Sequence, residues 1–204
     1  MSGNLFIVWA PSGAGKSSLI AALLEKDSNV RQSVSFTTRA PREGEVEGKH
    51  YHFVSRDAFE KMIASGDFLE HAEVYGNFYG TSKKWIDHAR LNGFDVVMAI
   101  DWQGAQQIHK IFPDIVGVFI LPPSMEVLRQ RLTARGQDSA EVIERRLASA
   151  HEDMSHLSEF DYVIINNGFA DAVSDLLAIF RSQRLKRDTQ FKRSSDIISK
   201  LIKR

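Results

Sequence analysis

The sequence predicts an α/β fold with a parallel sheet at its centre, and three observations lead to that prediction. Apolar runs of strand length recur along the 204 residues, and helical patterns separate them. A glycine-rich loop joins the first apolar run directly to the first helix. Strands that alternate with helices are joined by right-handed crossovers and lie parallel in one sheet. The four apolar runs lie at residues 5–9, 95–100, 115–121 and 161–165.

Composition places the chain among ordinary globular proteins. Hydrophobic residues make up 43% and charged residues 25%, and the length suits one core that carries an inserted subdomain. Lys plus Arg and Asp plus Glu number 26 each, so the bulk charge predicts neither nucleic-acid nor membrane binding. The absence of cysteine excludes disulfides, thiolate catalysis and cysteine-ligated zinc. With no apolar run of 18 residues and no signal-peptide pattern, we expect a cytoplasmic protein.

The loop after the first apolar run has the spacing of a P-loop. Gly13 and Gly15 permit backbone conformations in which successive N–H groups point at a phosphate. The start of the following helix adds a partial positive charge. Lys16 is expected to reach the β and γ phosphates of ATP, and the Ser17 hydroxyl to ligate Mg²⁺. The expected ATP-binding residues are Ala10, Pro11, Ser12, Gly13, Ala14, Gly15, Lys16, Ser17 and Ser18.

Residues 35–82 are expected to form a small β-rich insert between the first two α/β units. Arg39 and Arg42 lie in an irregular segment that Pro41 stiffens. Paired guanidiniums suit a phosphate dianion because arginine donates in a planar fork, although two solvated surface arginines are the alternative. We expect strands at 33–36, 51–54, 68–75 and 78–81, with a helix at 57–65 that Ser55 caps.

Two helical segments with arginines follow the third apolar run. The first spans residues 124–134, and the second begins at Ser139 after a turn that contains glycine. Arg131 and Arg135 are four apart and share a helix face. Such a pair of helices can close over a phosphate chain as a lid. The alternative is a solvated helical hairpin with ion pairs.

Further helices are expected at 82–92, 102–112 and 170–187. Beyond them, residues 184–204 contain eight Lys or Arg and two Asp. No aromatic platform accompanies these charges, so a solvated tail is favoured over nucleic-acid binding.

An apolar stripe in this tail is expected to pack either on the chain's own core or on a second subunit, which would make a homo-oligomer. The stripe consists of Ile197, Ile198, Leu201 and Ile202.

A resemblance to the guanylate kinase family rests on one long segment and several short motifs. The segment is Ser33-Val-Ser-Phe-Thr-Thr-Arg-Ala-Pro-Arg-Glu-Gly-Glu-Val-Glu-Gly-Lys-His-Tyr-His-Phe53, which resembles the family's GMP-binding region. The motifs are the P-loop, in which Ala10 is the family's own variant, Tyr79-Gly-Thr81, Ile100-Asp-Trp-Gln-Gly104 and Arg135-Gly-Gln-Asp-Ser139. The similarity spans about residues 4–170.

The resemblance implies a division of the chain and a reaction. It implies a P-loop NTPase-type core at 1–34, 83–123 and 157–204, a GMP-binding insert at 35–82 and an arginine-bearing lid at 124–156. The implied reaction converts ATP plus GMP, and also dGMP, into ADP plus the diphosphate with Mg²⁺. ATP and GMP are therefore the expected partners, with neither nucleic acid nor membrane.

The resemblance also assigns roles to residues. It places the GMP phosphate on Arg39, Arg42, Tyr51 and Tyr79, and guanine on Ser35, Glu70, Thr81 and Asp101. It places the ATP phosphates on Lys16, Ser17, Arg131, Arg135 and Arg146; the catalytic set is Lys16, Arg39, Arg131, Arg135 and Arg146. The chemistry agrees, since a carboxylate can accept from guanine N1–H and N2–H while hydroxyls donate to O6. Adenine presents the reverse pattern.

One position departs from the family. Where the family usually has Asp, two residues before Asp101, this chain has Ala99. A carboxylate at that strand end normally orients metal-bound water. Asp101 is then expected to contact guanine and, through water, the magnesium region as well.

Two alternative functions stay open at this point. One is a guanylate kinase-like binding module with weak or no turnover, which Ala99 favours and the presence of Lys16 opposes. The other is a related P-loop kinase that acts on another phosphorylated acceptor, such as a ribosyl bisphosphate. The combination of Glu70 with Ser35 and Thr81 favours a guanine base instead.

Overall fold

The computed structural model describes residues 2–74, 76–100, 102–134, 136 and 138–202, and two predicted site residues, Asp101 and Arg135, lie outside them. The strands are β1 (Leu5–Trp9), β2 (Val30–Gln32), β3 (Phe36–Thr37), β4 (His52–Phe53), β5 (Phe68–Val74), β6 (Asn77–Ser82), β7 (Asp95–Met98), β8 (Val116–Leu121) and β9 (Tyr162–Ile165). The helices are α1 (Lys16–Lys26), α2 (Arg56–Ala64), α3 (Lys83–Leu91), α4 (Trp102–Ile111), α5 (Met125–Ala134), α6 (Ala140–Ser155), α7 (Phe169–Leu185), α8 (Arg187–Arg193) and α9 (Ser195–Ile202).

The main sheet has five parallel strands in the order β2-β7-β1-β8-β9, which confirms the predicted fold class. All five residues of β1 are buried, because the strand lies at the centre with helices on both faces. Phe6 and Val8 pack with side chains of α1 and α7 on one face, and Leu5 and Ile7 pack with α3 and α4 on the other. Phe6 stacks on Phe180 of α7 with ring centroids 3.7 Å apart.

The predicted position of the first strand after α1, residues 33–36, is wrong. The structure places β2 at Val30–Gln32 in the main sheet. Of the expected strand 33–36, only Phe36 is in a strand, as the first residue of β3. β2 lies at the edge of the sheet, where Val30 is buried and Arg31 is exposed. An edge strand needs no continuous apolar run, so the sequence pattern did not reveal it.

The second sheet contains the strands between residues 36 and 82, in the order β4-β3-β6-β5. β5 and β6 form an antiparallel hairpin at the predicted turn, where Gly76 has a φ of 76°. The Ser55 hydroxyl accepts from the Ala58 N–H, which confirms the predicted cap of α2. Phe59 of that helix is buried against Phe68 and Phe78. The aromatic contacts fix α2 on the sheet.

Helices α5 and α6 form a hairpin with a small core of its own. Ser139 caps α6 by accepting from the Val142 N–H. An exposed ion pair between Arg129 and Glu144 joins the two helices. The two helices therefore have apolar contacts of their own, apart from those of the main sheet. Its buried side chains are Leu128, Leu132, Ile143, Leu147 and Ala150.

The tail folds as α8 and α9, and its apolar stripe remains exposed. Leu201 keeps 79% of its surface exposed, and Ile197 and Ile202 are exposed as well. Of the two expected packings, the one on the chain's own core is not seen for these three residues, and Ile198 is half-buried. Lys192 of α8 lines a cleft together with Leu5, at the start of β1. Within the described part of the chain, no helix has both the length and the apolar character needed to span a membrane.

The exposed stripe predicts a contact with a second subunit. Truncation after Phe191 removes α9, and we expect it to lower the sedimentation coefficient by more than the lost mass explains. In the full-length chain, Leu201→Lys should also lower the sedimentation coefficient, because a charge within the stripe opposes its burial in an interface. Lys200→Ala, one residue away, is the matched control. A coefficient that changes only with mass in the truncated chain would contradict the subunit contact.

Candidate active site

The P-loop connects the carboxyl end of β1 to α1 in the predicted way. Gly15 is the N-cap of α1, and Lys16 is its first residue. Gly13 and Gly15 have φ angles of 94° and 103°, in the left-handed region that favours glycine. The Ala14 N–H donates to the Pro11 carbonyl at 3.0 Å, which closes the turn. The backbone thus has the conformations that a phosphate-binding loop requires.

Asn166, which follows β9, holds this loop from behind. Its Nδ2 donates to the Ala14 carbonyl at 2.8 Å, and the residue is buried. A Cβ atom on Gly15 would lie only 2.4 Å from the same Nδ2. Gly15 is therefore required both by its φ angle and by the closeness of Asn166. The Oδ1 of Asn166 is buried without a hydrogen-bond partner among the described residues.

A cleft of about 530 Å³ opens beside Lys16. The P-loop, the second sheet and α6 form its walls, so it brings the three predicted parts of the site together. Ala99 and Ile100 line it where β7 has ended. Its lining side chains include Trp9, Ser12, Lys16, Ser35, Arg42, Tyr51, Glu70, Tyr79, Ala99, Arg145 and Arg146.

The candidate base-recognition residues meet at the second sheet. Glu70 of β5 lies directly opposite Thr81 of β6, and the two residues are only 4% and 1% exposed. The Thr81 hydroxyl lies 3.4 Å from that of Ser35, which precedes β3. A buried carboxylate and two hydroxyls thus lie at one end of the cleft. Such groups can match a ligand that offers both donors and acceptors.

Three candidate acceptor-phosphate residues, Arg42, Tyr51 and Tyr79, line the cleft, and the fourth, Arg39, contacts Tyr51 without lining it. The Arg39 guanidinium lies 5.4 Å from the ring centroid of Tyr51. The two tyrosine rings contact each other edge to face at 5.9 Å. Burial raises the pKa of the Tyr51 phenol, so the phenol stays protonated and can donate at neutral pH. Arg42 lines the cleft beside them.

Glu45 is a site residue that the sequence pattern did not reveal. Both of its carboxylate oxygens accept from Arg39, at 2.8 and 3.0 Å, and the Arg42 N–H donates to it at 2.7 Å. Burial would raise the pKa of Glu45, but these hydrogen bonds hold it below its usual value. The carboxylate therefore orients Arg39 and the backbone at Arg42. The only signal in the sequence was an acidic residue close to two arginines.

The described lid arginines have different surroundings. Arg131 donates to the carbonyls of Asn166, at 2.9 Å, and Ala14, at 3.4 Å. Arg146 donates to the Ser12 hydroxyl at 3.2 Å and pairs with Asp138 at 3.0 Å. Both therefore reach the P-loop in this structure.

Two other arginines of the hairpin were not among the predicted site residues. Arg145 also lines the cleft, which the sequence reasoning missed. Arg129 is not among the residues that line the cleft, and it forms an exposed ion pair with Glu144.

The oxygen donors near the P-loop indicate whether the site can hold Mg²⁺. Ser17 is exposed in the first turn of α1, next to Lys16 of the cleft. Ala99 offers no oxygen ligand, and no group of three or more His, Asp or Glu in the described residues is arranged to hold a metal. Mg²⁺ commonly uses one or two protein oxygens together with water and substrate phosphates. The donors thus fit an ion that arrives with a nucleotide.

Comparisons with known proteins agree on one family. The family model described as guanylate kinase matches residues 2–183. The guanylate kinase of Methylobacillus flagellatus is 55% identical over 202 residues, covering 99% of this chain and 100% of the relative. That of Thiobacillus denitrificans is 59% identical, covering 94% and 91%. A crystal structure of guanylate kinase from Anaplasma phagocytophilum superposes with a TM-score of 0.77 at 36% identity, covering 91% of this chain and 88% of the other.

The contact between the P-loop and Asn166 generates a prediction. Gly15→Ala should lower the melting temperature and weaken ADP binding by at least about tenfold, because a left-handed non-glycine residue costs about 1–2 kcal/mol and the new Cβ collides with Asn166. Calorimetric titration and thermal unfolding measure the two effects. Gly66→Ala is the control, since Gly66 has a φ of 71° but open space around it. Equal losses in both variants would contradict a specific role for the contact.

Proposed function

This chain belongs to the guanylate kinase family, and on that premise we propose that it transfers the γ-phosphoryl group of ATP to GMP, and also to dGMP, giving ADP and the nucleoside diphosphate. One observation carries the proposal. A single cleft joins the P-loop lysine, Lys16, to the buried Glu70 at the opposite wall. Donor and acceptor nucleotides can therefore meet between them.

Recognition of guanine is assigned to the buried polar groups of the second sheet. Glu70 accepts from N1–H and N2–H, while the hydroxyls of Ser35 and Thr81 donate to O6. Adenine would face Glu70 with an acceptor and would leave buried polar groups unpaired. Discrimination of this kind can reach about 10⁴. The nearly complete burial of Glu70 and Thr81 supports this assignment, because unpaired groups are most costly where water is absent.

The acceptor phosphate is assigned to Arg39, Arg42, Tyr51 and Tyr79. Arg39 is already oriented by Glu45 and by the Tyr51 ring, so little of its conformational freedom is lost on binding. The phosphate of GMP is ionised at neutral pH and attacks without a general base. The residues therefore act by positioning the two phosphates in line.

Charge stabilisation during transfer is assigned to the P-loop and the lid. The amides of the loop and Lys16 bind the donor phosphates, and Arg131, Arg135 and Arg146 neutralise charge that develops on the transferred group. Mg²⁺, held on the protein side by Ser17, would supply further neutralisation of the phosphate oxygens. The contacts of Arg131 and Arg146 with the P-loop support this division, since both already lie beside it.

The direct test is a coupled assay of ADP release with ATP against GMP, dGMP, AMP, CMP and UMP. We expect turnover with the two guanine nucleotides only. ADP release that is equal with AMP and GMP would reject the assignment of guanine recognition. An absence of ADP release with every acceptor would instead support the binding module without turnover.

Glu70→Gln is predicted to raise the KM for GMP by about 100-fold, because the amide presents a donor where guanine needs an acceptor. ADP affinity should change less than about twofold, since the P-loop lies at the other wall of the cleft. Glu73→Gln is the matched control, because Glu73 is exposed on the same strand. Steady-state kinetics with a melting curve for each variant would check this. A KM that Glu70→Gln leaves unchanged would exclude Glu70 from base recognition.

Ala99 generates a second prediction. Ala99→Asp should lower the Mg²⁺ concentration needed for half-maximal rate, because it returns a carboxylate to the strand end beside Lys16. Asp101→Asn should raise that concentration and also weaken GMP binding. Ala99→Asn is the control of equal size without charge. Identical Mg²⁺ titration curves for all four proteins, wild type included, would show that this strand end takes no part in metal handling.

A further inference from the structure

A cluster of aromatic rings lies directly behind the cleft. Trp9, the last residue of β1, is 4% exposed and still lines the cleft. Its ring is stacked with that of Phe160, at 5.6 Å and 29°, and meets Phe119 edge to face at 5.0 Å. The strand that leads into the P-loop therefore ends in a packed aromatic contact.

His156 joins this cluster to the end of α6. Its ring lies 6.0 Å from that of Trp9 and stacks on Trp102 at 4.4 Å with an angle of 11°. Its Nδ1 lies 2.6 Å from a carboxylate oxygen of Glu159, and Gln106 of α4 donates to the same carboxylate at 3.3 Å. The imidazole thus has a ring on two sides and a hydrogen bond that sets its plane.

His156 makes its ring contacts at one end of α6, so a small rotation there would displace residues farther along the helix. His156 is the C-cap of α6, and Arg145 and Arg146 lie on the same helix and line the cleft. Ten residues separate Arg146 from His156, which is about 15 Å of helix. A tilt of about 10° at the anchored end would move Arg146 by about 2–3 Å. Misplacement by about 1 Å can cost 100-fold in rate.

The helical hairpin transmits such a tilt because it has its own core. Leu128 and Leu132 of α5 pack with Ile143 and Leu147 of α6. Leu128 and Leu132 also lie against Gly13, where an added Cβ would be 3.0–3.1 Å from them. The orientation of the hairpin is thus fixed at two points, the P-loop at α5 and the ring cluster at the end of α6.

We propose that Trp9 and His156 are positioning residues whose ring contacts fix the end of α6, so that Arg145 and Arg146 meet the phosphates in the cleft. The proposal rests on the proposed phosphoryl transfer for its kinetic consequence. Its structural consequence, a fixed orientation of α6, is independent of the reaction.

The kinetic experiment compares substitutions that keep an aromatic ring with substitutions that replace the ring by an aliphatic side chain. His156→Leu and Trp9→Leu remove the planar ring, whereas His156→Phe and Trp9→Phe retain one. We expect each leucine variant to lower kcat by at least about tenfold, with the KM for GMP changed less than about threefold. Each phenylalanine variant should keep kcat within about threefold of wild type. Equal kcat losses in the leucine and phenylalanine variants, or no loss in either, would overturn the proposal.

The structural experiment needs no turnover. Trp85→Phe, at an exposed position of α3, removes the third tryptophan, so the emission in that background comes from Trp9 and Trp102. Adding His156→Leu should shift this emission and raise amide hydrogen exchange along α6, with α1 unchanged; adding His156→Phe should do neither. Exchange in α6 that stays at the wild-type level in His156→Leu would overturn the anchoring. If the wild-type chain released no ADP, the proposed function would fail while this exchange comparison still decided the anchoring.

Discussion

The close packing of the P-loop on the end of β9 constrains most of this structure. Asn166 donates to the Ala14 carbonyl and leaves no room for a side chain at Gly15. Arg131 of α5 donates to carbonyls of both Ala14 and Asn166. The loop, the edge strand and the helical hairpin therefore meet at a single set of backbone carbonyls, and none of the three can shift without the others.

The two walls of the cleft are built by different physical means. At the second sheet, the pairing of β5 with β6 places the buried Glu70 and Thr81 opposite each other, so their geometry follows from the strand register. At the other wall, Arg145 and Arg146 lie on α6, which packs on α5 and ends at the ring contacts of His156. Strand pairing thus fixes the first wall, and contacts between helices and aromatic rings fix the second.

How much could be predicted depended on how local each signal was. The P-loop and the caps Ser55, Ser82 and Ser139 are short-range patterns, and the structure has them where the sequence predicted them. β2 was missed because an edge strand lacks a continuous apolar run. His156 was missed because its ring partners, Trp9 and Trp102, lie in two other segments that only the fold brings close. Glu45 is only six residues from Arg39, but the sequence does not show that the loop turns its carboxylate onto that guanidinium.

The tail lies away from the candidate active site, so a subunit contact through the tail would not involve that site. α8 contributes to a cleft at the amino end of β1, beside Leu5, whereas the P-loop follows the carboxyl end of the same strand. A partner that docked through the tail would approach from the side away from the nucleotides. Each subunit of such an assembly would keep its own entrance for substrates, and the number of subunits could change during evolution without any adjustment of the active site.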